Sequence, residues 1–70
     1  MERTPVKSSQ LVSVGYDPTE HVLEIEFQDG GIYHYFGVPP AVHSALMKAH
    51  SHGKYFNATI KGQYLCEEED

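Results

Sequence analysis

The chain is poor in most of what would assign it to a familiar functional class. It has one cysteine, Cys66, so no disulfide can close within it, and a reducing compartment is the expectation. Five lysines and arginines stand against ten acids, so the basic excess of a strong nucleic-acid binder is missing. No apolar run approaches the ~18 residues of a membrane span. The start, Met1-Glu2-Arg3-Thr4-Pro5, lacks the apolar stretch of a secretory signal. A cytoplasmic protein without membrane contact is therefore expected. No glycine loop suited to cradling phosphate and no strained nucleophile turn is present, and no cofactor is expected. Seventy residues make one domain, and a domain this short buries only about 60% of the surface its unfolded chain exposes. One core fits, with little room for a deep catalytic cavity.

What is present is the mix of a soluble globular chain, 40% hydrophobic and 21% charged, which excludes disorder as the ground state. The acidity is unevenly placed. Residues 1–66 carry five cationic and six acidic side chains, a net −1, and Glu67, Glu68, Glu69 and Asp70 hold the rest. The expected division is a single domain over 1–66 and a solvated acidic tail over 67–70.

Residues 1–10 are polar and expected as a loosely held arm. Leu11 to Tyr16 is rich in β-branched residues and predicts a first strand. Asp17-Pro18-Thr19-Glu20 has turn chemistry, because proline presets φ at the second turn position. Val22 to Phe27 alternates cleanly, with Leu23, Ile25 and Phe27 on a core face and Glu24 and Glu26 on a wet one. Asp29-Gly30-Gly31 turns the chain into a third strand over Ile32-Tyr33-His34-Tyr35-Phe36. Two registers are open for this hairpin. A two-residue loop sets Ile25 opposite His34 and turns the tyrosines away from the core. A three-residue loop sets Phe27 opposite Tyr33 and Ile25 opposite Tyr35, and sends the tyrosines inward. The second is preferred, because histidine is a poor partner for a core isoleucine.

Pro40 suits the first turn of a helix, and Val42, Ala45, Leu46 and Ala49 fall on one helical face. Ser51 can cap a second helical turn in which Phe56 and Ile60 share a face. The predicted fold is α+β: a three-stranded antiparallel β-meander with one helix packed across it and a second short helical segment.

These residues resemble a known family. Val6-x-Ser8-Ser9-x-Leu11, Val14-Gly15-Tyr16-Asp17, Leu23-x-Ile25-x-Phe27, Gly31-x-Tyr33-x-Tyr35-x-x-Val38-Pro39 and Ser51-x-Gly53-x-Tyr55-Phe56-Asn57-x-x-Ile60-Lys61 together resemble the KTSC domain. That domain is named for its place at the C-terminus of some lysyl-tRNA synthetases and also occurs as small stand-alone bacterial and phage proteins. The match runs from about Thr4 to Tyr64. The resemblance implies RNA binding through the synthetase association and transfers no catalytic residues.

The side chains themselves favour binding over catalysis. Five histidines invite a metal, His50-x-His52 above all, but the usual cysteine or carboxylate ligands at tight spacing are missing, so no metal site is expected. Ser51 beside His52 lacks the context of a nucleophile and reads as a cap. Glu24 and Glu26 read as solvated carboxylates, without the desolvation that acid–base work requires. The tyrosines and phenylalanines carry the functional case. Exposed aromatic rings stack unpaired bases while neighbouring lysines hold phosphates. Lys54 and Lys61 flank Tyr55 and Phe56, and Lys7 precedes the first strand. The expectation is a small non-enzymatic module that binds single-stranded RNA weakly through Lys7, His34, Lys54, Tyr55 and Lys61. The alternative is a protein-interaction module using its surface and acidic tail.

Overall fold

The structure, a computed structural model, describes residues 1–69. It is α+β, and the sheet has five strands rather than three, all antiparallel and in chain order: β1 (Arg3–Pro5), β2 (Leu11–Asp17), β3 (Val22–Phe27), β4 (Ile32–Phe36) and β5 (Cys66–Glu68). Helix α1 (Pro40–Lys48) and helix α2 (His52–Tyr55), which continues as a π-turn over Phe56–Ile60, supply the other half of the core. No described helix is long and apolar enough to cross a membrane.

The three central strands lie where the sequence predicts them, and the turn between β2 and β3 falls at Asp17 as predicted. Asp17 Oδ1 accepts the backbone N–H groups of Thr19 (2.9 Å) and Glu20 (3.2 Å), closing the turn between β2 and β3. Strand β2 contains a bulge. Leu11 pairs with Phe27 and Ser13 with Glu26, so Val12 is an extra residue. The bulge lets Leu11 and Val14, three residues apart, both enter the core, where both are fully buried.

The β3–β4 register is neither of the two predicted. Ile25 pairs with Tyr33, Leu23 with Tyr35 and Glu24 with His34. The loop is Gln28-Asp29-Gly30, closed by Phe27 N–H donating to Gly31 O (2.8 Å) and Gly30 N–H donating to Phe27 O (2.9 Å). Gly30 takes the left-handed position, at φ +96. This register differs from the preferred one by two residues. The side-chain period is also two, so the faces come out as preferred: Tyr33 and Tyr35 turn inward and His34 outward.

The outer strands come from segments read as an arm and a tail. Arg3, Thr4 and Pro5 pair with Gly15, Val14 and Ser13. Gly15 permits this, since a Cβ there would lie 2.9 Å from the Glu2 carbonyl oxygen. Pro5 is tolerated because β1 is an edge strand, where one row of N–H groups has no ladder to serve. At the other edge Tyr33, His34 and Tyr35 pair with Glu68, Glu67 and Cys66. Phe36 N–H donates to Leu65 O (2.9 Å) and Glu69 N–H to Ile32 O (2.7 Å). The tail expected at 67–70 is thus strand through Glu68 and still hydrogen-bonded at Glu69; Asp70 lies outside the described residues. The physical reason is β4's free edge, whose backbone donors and acceptors gain partners whatever the side chains.

The core gathers Leu11, Val14, Leu23, Ile25, Tyr35, Val38, Leu46, Phe56 and Ile60. Leu46 is the one fully buried residue of α1, with Val42 and Met47 half-buried beside it. Phe56 and Ile60 are both buried, as their spacing predicts, and the turn widens so that Lys61 N–H donates to Phe56 O (2.9 Å). Both helices cover one face of the sheet and leave the other to charged side chains.

Candidate nucleic-acid interface

Residues distant in sequence meet where the arm before β2 crosses α2. Ser8 Oγ accepts from the backbone N–H of Gln10 (3.1 Å) and of Leu11 (3.2 Å), turning the arm into the strand. The Gln10 side chain then exchanges two hydrogen bonds with Asn57, at 3.0 and 3.1 Å. Gly53 makes room for that exchange, since a Cβ there would stand 3.0 Å from Gln10 Oε1. Ser51 Oγ caps α2 by accepting from Lys54 N–H (3.2 Å). The Val6–Leu11 and Ser51–Asn57 motifs therefore build one piece of surface.

Two adjoining hollows flank this crossing and share Ser9 and Gln10 as lining. The smaller, about 280 Å³, collects Lys7, Lys54, His50 and His52, and no carboxylate of the described residues lines it. His52 is held by donating from Nδ1 to the Leu46 carbonyl oxygen (2.8 Å). The larger, about 550 Å³, is lined by Phe27, Tyr33, Tyr35 and Lys61, and by Asp29 as well. Its rings brace one another. Phe27 meets Tyr33 edge-on at 5.6 Å between centroids, and Tyr35 meets Phe56 edge-on at 5.5 Å. Burial pushes the Tyr35 phenol up to about 12. Tyr33 is raised chiefly by the Glu68 carboxylate beside it and then by burial. Both rings are neutral phenols at physiological pH, so neither repels a phosphate.

Three of the five residues predicted for binding lie in this band: Lys7 and Lys54 at one end, Lys61 at the other. Tyr55 does not; it is half-buried against the core. His34 lies on the opposite face of the sheet, because it alternates with the inward Tyr33 and Tyr35. The predicted binding residues did not include Phe27, Tyr33, Tyr35, His50 and His52, which also line the band. The alternation in β4 marked Tyr33 as inward. It held no sign that the ring is half-exposed in a hollow.

The opposite face corrects a second expectation. Glu24 is not solvated; only 7% of it is exposed. Arg3 Nη1 lies 3.1 Å from its Oε2, and His34 Nε2 lies 2.6 Å from its Oε1. Strands β1 and β5 cause this burial by bringing Arg3 and Glu69 to flank a residue that would be open on a three-stranded sheet. Glu26 accepts from Ser13 Oγ (3.0 Å) and stays more open. At the far end of the molecule His43 stacks on Tyr16, with centroids 4.6 Å apart and planes 9° apart. Burial lowers the His43 pKa from its ordinary value.

Comparison with known proteins is consistent across sequence and structure. The family model of the KTSC domain matches residues 7–64. An uncharacterised protein of Stutzerimonas stutzeri is 47% identical over 64 residues, covering 91% of this chain and 90% of that one. A lysine–tRNA ligase of a Nostoc species is 47% identical over 62 residues, which cover 89% of this chain but only 11% of the ligase. The crystal structure of a KTSC domain protein from Yersinia pestis superposes with a TM-score of 0.97 at 45% identity, covering 99% of this chain and 97% of that one.

Proposed function

This chain belongs to the KTSC domain family, and from that premise we propose that it is a non-enzymatic module that binds single-stranded RNA weakly and with little sequence preference. The observation that carries the reading is the band just described. Three of the chain's four lysines line two contiguous hollows, one of them walled by aromatic rings, although the chain as a whole is acidic. Phosphates sit at Lys7, Lys54 and Lys61, and a base rests against Tyr33 and Phe27, a contact worth ~1–3 kcal/mol. Homologous domains within lysine–tRNA ligases place the same sequence pattern in proteins that handle an RNA substrate.

The test is fluorescence anisotropy of a short labelled single-stranded RNA across a salt series. Three lysine–phosphate contacts on a single strand give a log–log salt slope of about −2, so affinity falls roughly 20-fold between about 50 and 200 mM salt. Replacing any one of the three lysines by alanine makes the slope shallower by about 0.7. Tyr33→Ala weakens binding and leaves the slope unchanged. His34→Ala does neither. Absence of binding at low salt and high protein concentration rejects the reading. A second reading, a protein partner, is supported by β5, an edge strand exposed along its whole length. A partner captured by the wild-type chain and lost in Glu67→Pro, with RNA binding absent, would favour it.

A further inference from the structure

On the sheet face opposite the helices, we propose a binding site for a divalent transition-metal ion of the zinc type, with Glu24, His34 and Glu69 as its protein ligands. It does not rest on the RNA reading and shares none of the band's lining. One donor atom from each residue lies within 4.8 Å of the others. His34 Nε2 is 2.6 Å from Glu24 Oε1 and 3.6 Å from Glu69 Oε1. Two donors bound to one tetrahedral ion at about 2.0–2.1 Å sit about 3.3 Å apart, so the observed separations bracket the required one.

The surroundings prepare the donors. Arg3 occupies Glu24 Oε2 at 3.1 Å, which leaves Oε1 to face the imidazole and fixes the carboxylate plane. Such an outer partner is what orients the ligands of known metal sites. The Glu24 side chain is 10% exposed and anchored mid-strand, while Glu69 at the sheet edge is 44% exposed and free to adjust. Glu24 and Glu69 also line a hollow of about 640 Å³, together with Arg3 and Glu26, so an ion held between these two carboxylates and His34 has access and room for a water ligand. Charge favours a cation as well. On this face the carboxylates of Glu24, Glu26, Glu67 and Glu69 outnumber the side chains of Arg3 and His34 that face them. A mixed imidazole and carboxylate set suits zinc and its neighbours better than magnesium or calcium, which prefer oxygen alone.

Binding follows a definite proton path. Nε2 now shares a proton with Glu24 across 2.6 Å; the ion takes the Nε2 lone pair, and that ring proton moves to Nδ1 or to solvent. The experiment is calorimetric titration of Zn²⁺ into the full chain at pH 7, paired with ¹⁵N NMR of the imidazoles. The expected result is one equivalent bound, with the His34 Nε2 resonance moving to the metal-bound position. Glu69→Gln, at an exposed strand end where folding is not at risk, weakens binding at least about tenfold, the scale on which even outer partners of a bound metal act. His34→Ala does the same. The double variant His50→Ala/His52→Ala leaves the isotherm unchanged. An absence of heat and of shifts, shifts confined to His50, His52 or Cys66, or an unchanged isotherm in Glu69→Gln would each overturn the assignment.

Discussion

Replacing Glu24 with alanine separates the observed fold from a three-stranded sheet with a wet outer face. On an open face such a change alters stability by no more than about 0.5 kcal/mol. Here Glu24 joins β1 to β4 through Arg3 at 3.1 Å and His34 at 2.6 Å, with its own side chain only 10% exposed. A hydrogen bond to a charged group contributes about 1.5–3 kcal/mol when its partners are desolvated. The Arg3 and His34 side chains keep 30% and 27% of their exposure, so both regain water when the carboxylate is removed. That discount puts the cost of Glu24→Ala near 2 kcal/mol rather than the sum of two full bonds. For a domain of this length about 2 kcal/mol lowers Tm by roughly 8–16 °C. Glu26→Ala is the internal control. Its ion pair with Arg3 is longer, 3.8 Å, and its side chain is 30% exposed, so its cost stays under about 1 kcal/mol. Urea and thermal unfolding at pH 7 in the presence of a chelator measure both. If Glu24→Ala and Glu26→Ala prove equally mild, β1 and β5 do not shield that face and the reasoning fails.

Leu46→Ala removes the only fully buried side chain of α1 and should cost about 2–5 kcal/mol, enough to leave the domain largely unfolded at 37 °C; a loss under about 1 kcal/mol in urea melts would show α1 undocked. Ser51→Ala deletes the cap on Lys54 N–H and should cost about 1 kcal/mol, with faster hydrogen exchange confined to α2 and the π-turn. His43 has a folded pKa below its unfolded value, so the unfolded chain binds the extra proton and stability falls as pH drops through about 6.5 toward the folded pKa. His43→Phe keeps the stack on Tyr16 but removes the proton, so its Tm should fall less than that of wild type between pH 7 and pH 5. Parallel Tm profiles would rule out this role for His43.

Much of the core was legible in the order of residues. Leu23, Ile25 and Phe27 alternate with acids, and two of the three are fully buried. Leu46, Phe56 and Ile60 follow helical spacing and are buried as well. The turn at Asp17 and the cap at Ser51 were legible for the same reason. These are local matters, in which side-chain chemistry and spacing act within a few residues and each strand face follows from a period of two. The edges, the register and the site were decided by tertiary structure alone. Three-residue strands such as β1 and β5 form because a neighbouring backbone offers unpaired donors and acceptors, and no side-chain pattern announces that. The burial of Glu24 depends on those edges, since Arg3 reaches it from β1 and Glu69, just past β5, flanks its other partner His34. The same holds for Lys7, Lys54 and Lys61, which meet in one band at the crossing where Gln10 hydrogen-bonds Asn57 across 47 positions of chain. Contacts of such separation depend on the path of the whole backbone, which no local spacing encodes.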